Sequence, residues 1–197
     1  MYNRGDGVLQ SRDKSIEWFK KASEAGNSTA MLNLGTMYYD GIDVPQDYPL
    51  ALEWFKKASD AGNGAAMNRI GNMYLDGVGV NKSYTEARNW YQRAAEAGDN
   101  DCMYNMGFLY YYGYGVTKDL ERALNWFLKS AEAGNAHGMY MVGQMYEYGQ
   151  GLPQNMPSLA TAKEWYQKAY ASADPKEDNY EVFIRDIEAQ MNQSKFN

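Results

Sequence analysis

The chain carries one histidine, His137, and one cysteine, Cys102, so its imidazole and thiol chemistry rests on those two positions. A hydrolytic triad needs a histidine beside a nucleophile and an orienting carboxylate. His137 lies in no serine-centred motif. One histidine rules out two-histidine zinc motifs, and one cysteine rules out both an intramolecular disulfide framework and a cysteine-cluster metal site. Gly77-Val78-Gly79-Val80 and Gly113-Tyr114-Gly115-Val116 open like a dinucleotide-binding loop. They lack its third glycine and its preceding strand, and read as turns. Asp99-Asn100-Asp101 lacks the following Asx-Gly and the terminal glutamate of a calcium loop. Three sequons, at Asn27, Asn81 and Asn192, are within what so many asparagines produce by chance. The expectation is a protein with no catalytic residues, no metal and no cofactor.

The residues left with distinctive chemistry are aromatic: 18 tyrosines and 5 tryptophans among 197 residues. Their spacing is periodic. Trp18, Trp54, Trp90 and Trp126 are each separated by 36 residues, as are Gly26, Gly62, Gly98 and Gly134. Gly35, Gly71, Gly107 and Gly143 keep the same step, as do Tyr38, Tyr74, Tyr110 and Tyr146. Trp165 falls three residues late, which places a short insertion in the loop 149–157. Self-similarity at such a period marks a stack of supersecondary units.

Each unit reads as two helices. In the unit beginning near Asn27, the first runs roughly Ser28 to Asp40, with Ala30, Met31, Leu34, Gly35, Met37 and Tyr38 at helical spacing. The second runs roughly Asp47 to Ser59, with Ala51, Trp54, Phe55 and Ala58 on one stripe. Gly62 and its repeats are helix stops, and Asn27, Asn63, Asp99 and Asn135 stand where the next helix needs an N-cap. Glu17–Lys21, Glu53–Lys57 and Glu164–Lys168 are i, i+4 pairs on a solvated face. A glycine in mid-helix costs about 1 kcal/mol against alanine, so Gly35 and its repeats imply a close approach. The tryptophan of the following helix is the expected filler.

Net charge is −6, from 19 basic and 25 acidic residues, which argues against a nucleic-acid partner. Mean hydropathy is −0.67, and no apolar run approaches the 18 or so residues of a transmembrane helix. No basic segment followed by an apolar one opens the chain, so it reads without a signal peptide. Hydrophobic residues still make up 45 %, too many for disorder.

The pattern Ala66-x-x-x-Ile70-Gly71-x-x-Tyr74-x-x-Gly77-x-Gly79-Val80, followed by Ala87-x-x-Trp90-Tyr91-x-x-Ala94-Ala95-x-x-Gly98, resembles a Sel1-like repeat, a relative of the tetratricopeptide repeat. Departures are small: Asp43 replaces the second loop glycine, Leu152 the valine, and Cys102 and Gly138 the small alanine. The paired cysteines of the family's cysteine-rich bacterial members are missing. The resemblance implies an all-α solenoid, a right-handed superhelix of helix pairs, and an adaptor role between proteins. The expected division is the end of a preceding repeat over 1–26, four repeats over 27–172 (27–62, 63–98, 99–134 and 135–172), and a C-terminal capping helix and tail over 173–197. That last helix follows Asp174-Pro175 and carries Tyr180, Phe183, Ile184, Ile187 and Met191 on one stripe. Met1-Tyr2 aligns with Met37-Tyr38, so the chain is read either as a piece of a longer array or as one with an abbreviated start. In the first case self-association through the N-terminal end is expected.

Function then rests on the face of the first helices that the repeat leaves free. On a helical wheel it holds residues 29, 32, 36, 39 and 40 and their repeats, which by family analogy line a concave groove. Its aromatic content rises in the last two units. The candidate partner-binding residues are Tyr104, Phe108, Tyr111, Tyr112, Tyr140 and Tyr148, with Asp76, Asp101 and Glu147 as charges. None of the twenty positions is Lys or Arg. Such a face suits a protein or peptide segment carrying apolar anchors and positive charge. The alternative is a cell-envelope protein that stacks the tyrosines on glycan or peptidoglycan rings.

Overall fold

The computed structural model describes residues 12–172 and 180–193. The alignment of Met1-Tyr2, the break at Asp174-Pro175 and the end of the third sequon at Ser194 lie outside the described residues. The described chain folds into ten α-helices and no strand, in two compact units. Residues 1–97 hold α1 (Arg12–Glu24), α2 (Ser28–Asp40), α3 (Tyr48–Asp60), α4 (Gly64–Asp76) and α5 (Tyr84–Glu96). Residues 98–197 hold α6 (Asn100–Tyr112), α7 (Leu120–Glu132), α8 (Ala136–Glu147), α9 (Leu159–Ser172) and α10 (Glu181–Gln193).

Local chemistry sets the helix ends. Asn27, Asn63, Asp99 and Asn135 cap α2, α4, α6 and α8, their side-chain oxygens accepting from the N–H three residues on. Asp47, Ser83 and Asp119 do the same for α3, α5 and α7. Each cap contributes roughly 1 kcal/mol. The link inside a pair is fixed by one backbone bond. The N-cap N–H of the second helix donates to the carbonyl of the repeated tyrosine, as in Ser83 to Tyr74 at 2.8 Å and Asp119 to Tyr110 at 3.0 Å. The chain reverses there through left-handed residues such as Gly77 (φ +77°) and Gly79 (φ +69°). Asp43 adopts φ +63° in the glycine's place. In the α8–α9 loop the three extra residues form a short 3-10 turn, Pro153–Asn155, with Gln154 and Asn155 both at positive φ.

The glycine notch is filled by a different ring from the one the sequence suggests. A Cβ on Gly107 would meet Phe127 carbons at 2.6 Å, and one on Gly143 would meet Tyr166 at 2.6 Å. Phe55 and Tyr91 face Gly35 and Gly71 in the same way. Phe55, Tyr91, Phe127 and Tyr166 are fully buried. The preceding Trp54, Trp90, Trp126 and Trp165 are only half-buried, because one residue along a helix turns the side chain about 100° away from the notch. Each tryptophan instead carries the cation three residues on: Lys57, Arg93, Lys129 and Lys168 lie 4.3, 4.4, 4.4 and 4.0 Å over Trp54, Trp90, Trp126 and Trp165. Glu17–Lys21 closes as an ion pair at 2.7 Å, whereas Lys57 and Lys168 rest on their rings.

The C-terminal stripe packs as expected. Ile187 of α10 is buried with Ala162 and Tyr166 of α9, and Phe183, Ile184 and Met191 close over them. Lys163 of α9 pairs with Glu188 of α10 at 2.8 Å.

Candidate functional site

The face assigned from the sequence divides according to what else each side chain does. Tyr104 is committed to packing: its ring lies 5.6 Å from Phe127 and 6.0 Å from His137. Burial, and then the neighbouring Tyr112, push its phenol above the ordinary tyrosine range. Tyr140 is committed in the same way, one repeat later. It stacks on Tyr180 at 5.3 Å and meets Phe183 edge-on at 4.8 Å, so α10 stands beside α8. Glu147 accepts from the Tyr166 hydroxyl at 2.7 Å and the Gln190 amide at 3.2 Å. Burial, then that bond, drive the Tyr166 phenol strongly upward. Asp101 is exposed and accepts from Asn135 Nδ2 at 2.6 Å. It precedes Tyr111 by ten residues on α6, roughly 15 Å at 1.5 Å per residue. Asp76 ends α4 in the other unit, beside Tyr39. That phenol is raised by burial, Tyr48 and Asp76, against Arg69.

What remains open is the C-terminal end of α6 and α8. Tyr112 and Tyr148 are 51 % and 61 % exposed. Phe108 lies 4.5 Å from Tyr112, and Tyr111 lies 4.9 Å from it. The Tyr111 hydroxyl donates to Gln150 at 2.8 Å, which fixes the ring. Tyr148 is near enough to Tyr111 for the two phenols to interact electrostatically. The Glu147 charge is the main cause raising the Tyr148 phenol, burial and a hydrogen bond to Glu147 add to this, and Tyr111 contributes last. Tyr114, which sequence reasoning missed, stacks on Tyr112 at 5.6 Å with an 18° interplanar angle and reaches Phe108 at 5.9 Å. It is 37 % exposed. A signal was there to read: Tyr114 sits between Gly113 and Gly115, where the preceding unit has Val78.

The other chemical candidates are occupied with structure. Cys102 is fully buried in the slot of Ala30 and Ala66, and burial, then Asp99, push its thiol far above the range of a reactive cysteine. His137 is exposed, with Nδ1 2.9 Å from the Tyr180 hydroxyl. Among the described residues no group of three or more His, Cys, Asp or Glu comes together to hold a metal. No described helix is long and apolar enough to cross a membrane. Cavities of about 220 and 500 Å³ open elsewhere, beside Phe19 and Ile42 and beside Leu120 and Pro153.

The Sel1 repeat model matches residues 1–27, 28–63, 64–99, 100–135 and 136–174. The chain belongs to the Sel1 repeat family. No curated protein matches it. Among solved structures, a Sel1 repeat protein from Oxalobacter formigenes is 36 % identical, with a TM-score of 0.81 over 88 % of this chain and 70 % of that one. A protective antigen of uropathogenic Escherichia coli, described as having an SLR fold, is 31 % identical with a TM-score of 0.79. That match covers 88 % of this chain but 36 % of the antigen, so the chain spans about a third of its length. Helicobacter pylori cysteine rich protein B shares the fold at 24 % identity, with a TM-score of 0.53 over 68 % of this chain and 96 % of that one. Sel1 repeat proteins generally act as scaffolds for protein–protein interaction, and the fold is typically non-catalytic.

Proposed function

We propose that this Sel1 repeat protein is a scaffold that holds a polypeptide segment on the aromatic end of α6 and α8. The observation that carries this reading is the contiguous group of rings at Phe108, Tyr112 and Tyr114, with Tyr112, Tyr114 and Tyr148 exposed. Packing of the repeat does not require Phe108, Tyr112 or Tyr148: the equivalent positions in α4, Asn72 and Asp76, are polar. Aromatic side chains concentrate binding energy at interfaces. Glu147 supplies negative charge beside them, so a segment with apolar anchors and Lys or Arg matches the surface. Tyr104 and Tyr140 are committed to packing against neighbouring rings, and Glu147 is hydrogen-bonded to Tyr148.

The test is affinity capture from cell extract with the tagged chain. Phe108→Ala with Tyr112→Ala and Tyr148→Ala removes the rings that lie outside the core. It is expected to cut capture by about tenfold or more while the helical spectrum stays unchanged. Lys56→Ala with Gln92→Ala, on exposed second helices, leaves capture intact. Equal capture by the triple variant and the parent overturns the assignment.

A further inference from the structure

The chain repeatedly satisfies aromatic faces with its own cations. Besides the tryptophan pairs, Lys118 lies 5.8 Å over Tyr111 and Arg122 lies 5.8 Å over Tyr110. The rest of the open end, beyond Tyr111, is the exception. Among the described residues no Lys or Arg lies over Phe108, Tyr112 or Tyr148, although Tyr112 and Tyr148 are the rings most open to solvent there. A carboxylate stands beside them, since Glu147 precedes Tyr148 and its charge governs that phenol. Glu147 accepts from the Tyr166 hydroxyl and the Gln190 amide and is hydrogen-bonded to Tyr148, which holds its charge at the edge of that ring.

A ring face with a carboxylate at its edge selects among cations. Guanidinium is planar, stacks on an aromatic face, offers parallel N–H donors and is less strongly hydrated than ammonium. Ammonium, a compact and strongly hydrated point charge, gains less from an exposed ring. Resting on the proposed polypeptide-binding role of this surface, we propose that the cations it takes are arginines. The guanidinium groups of a partner segment stack on Tyr112 and Tyr148, with Glu147 as the counter-charge and apolar side chains between them on Phe108 and Tyr114.

The test uses the full chain and three fluorescein-labelled synthetic peptides of alternating residues: Leu with Arg, Leu with Lys, and Leu with citrulline, which keeps the planar shape of arginine without its charge. Fluorescence anisotropy is read at low and at moderate salt. The arginine peptide is expected to bind about tenfold more tightly than the other two. Tyr112→Ala with Tyr148→Ala removes that preference, and Glu147→Gln reduces both the preference and the salt dependence. If the three peptides bind alike, or if the arginine preference persists in the tyrosine variant, the inference is overturned. Equal binding of all three that is nonetheless lost in the tyrosine variant removes arginine selectivity and leaves the polypeptide-binding role standing. Loss of extract capture in the Phe108, Tyr112 and Tyr148 variant supports that role independently of any peptide.

Discussion

Gly107→Ala sets two magnitudes of opposite sign against each other. At an unobstructed mid-helix position alanine stabilises over glycine by about 1 kcal/mol. Here the new methyl group would stand 2.6 Å from two Phe127 ring carbons and 3.0 Å from a third, against about 3.5–4.0 Å for comfortable contact. The ring has to retreat by about 1 Å, and it is fully buried in the cluster holding Leu124, Ala131, Met141 and Val142. Overpacking of this kind costs about 1–3 kcal/mol; with three ring atoms involved the upper end applies, for a net loss of about 2 kcal/mol. Thermal melts followed by circular dichroism would then fall by roughly 4–8 °C. The decisive measurement adds Phe127→Leu. If the notch and ring are complementary, Gly107→Ala costs at least about 1 kcal/mol less in that background than in the parent. A stabilising Gly107→Ala, or effects that add within about 0.5 kcal/mol, would refute the notch as the reason for glycine.

Three further outcomes follow from the same structure. Tyr91→Ala empties a buried ring site and is expected to cost about 3–5 kcal/mol, whereas Trp90→Ala removes a half-buried ring under Arg93 and costs about 2 kcal/mol; melts that rank them the other way contradict the packing. Ser59 Oγ is buried without a hydrogen-bond partner in the slot that Ala95 and Ala131 fill in later units, so Ser59→Ala is expected to stabilise by about 1 kcal/mol in denaturant titrations, and a loss of that size would contradict it. Tyr39, Tyr104, Tyr140, Tyr148 and Tyr166 have phenols raised above the ordinary value, so the unfolded chain releases those protons first; stability is full below about pH 10 and falls as pH rises further, and denaturation midpoints that hold steady to pH 11.5 would contradict this.

The repeat was legible because its signals are local. A cap such as Asn63 and a stop such as Gly62 act within one helix turn, and a 36-residue step repeats them where any reader can align them. The choice between two adjacent rings was not legible. Trp54 and Phe55 both fall on the apolar stripe, and only the azimuth of the facing glycine decides that Phe55 enters while Trp54 takes Lys57. The candidate site was legible as a set of positions but not as a set of roles. Tyr140 and Tyr148 occupy the same wheel face, yet Tyr140 lies against Tyr180 and Phe183 of α10 while Tyr148 stays open. That difference depends on where α10 docks, which helix periodicity does not encode. A triple change of Tyr104, Tyr111 and Tyr140 would therefore disturb packing as well as the surface, and the clean probes are Phe108, Tyr112 and Tyr148.

Site-specific photocrosslinking tests the docking surface most directly. A photoreactive benzoylphenylalanine is placed at position 112 or 148, or at position 92 on the exposed side of α5, and the chain is irradiated in cell extract. Positions 112 and 148 are expected to give the same crosslinked partner, and position 92 none. A partner captured from position 92 and from neither tyrosine position would place the interface on the second helices and contradict the account.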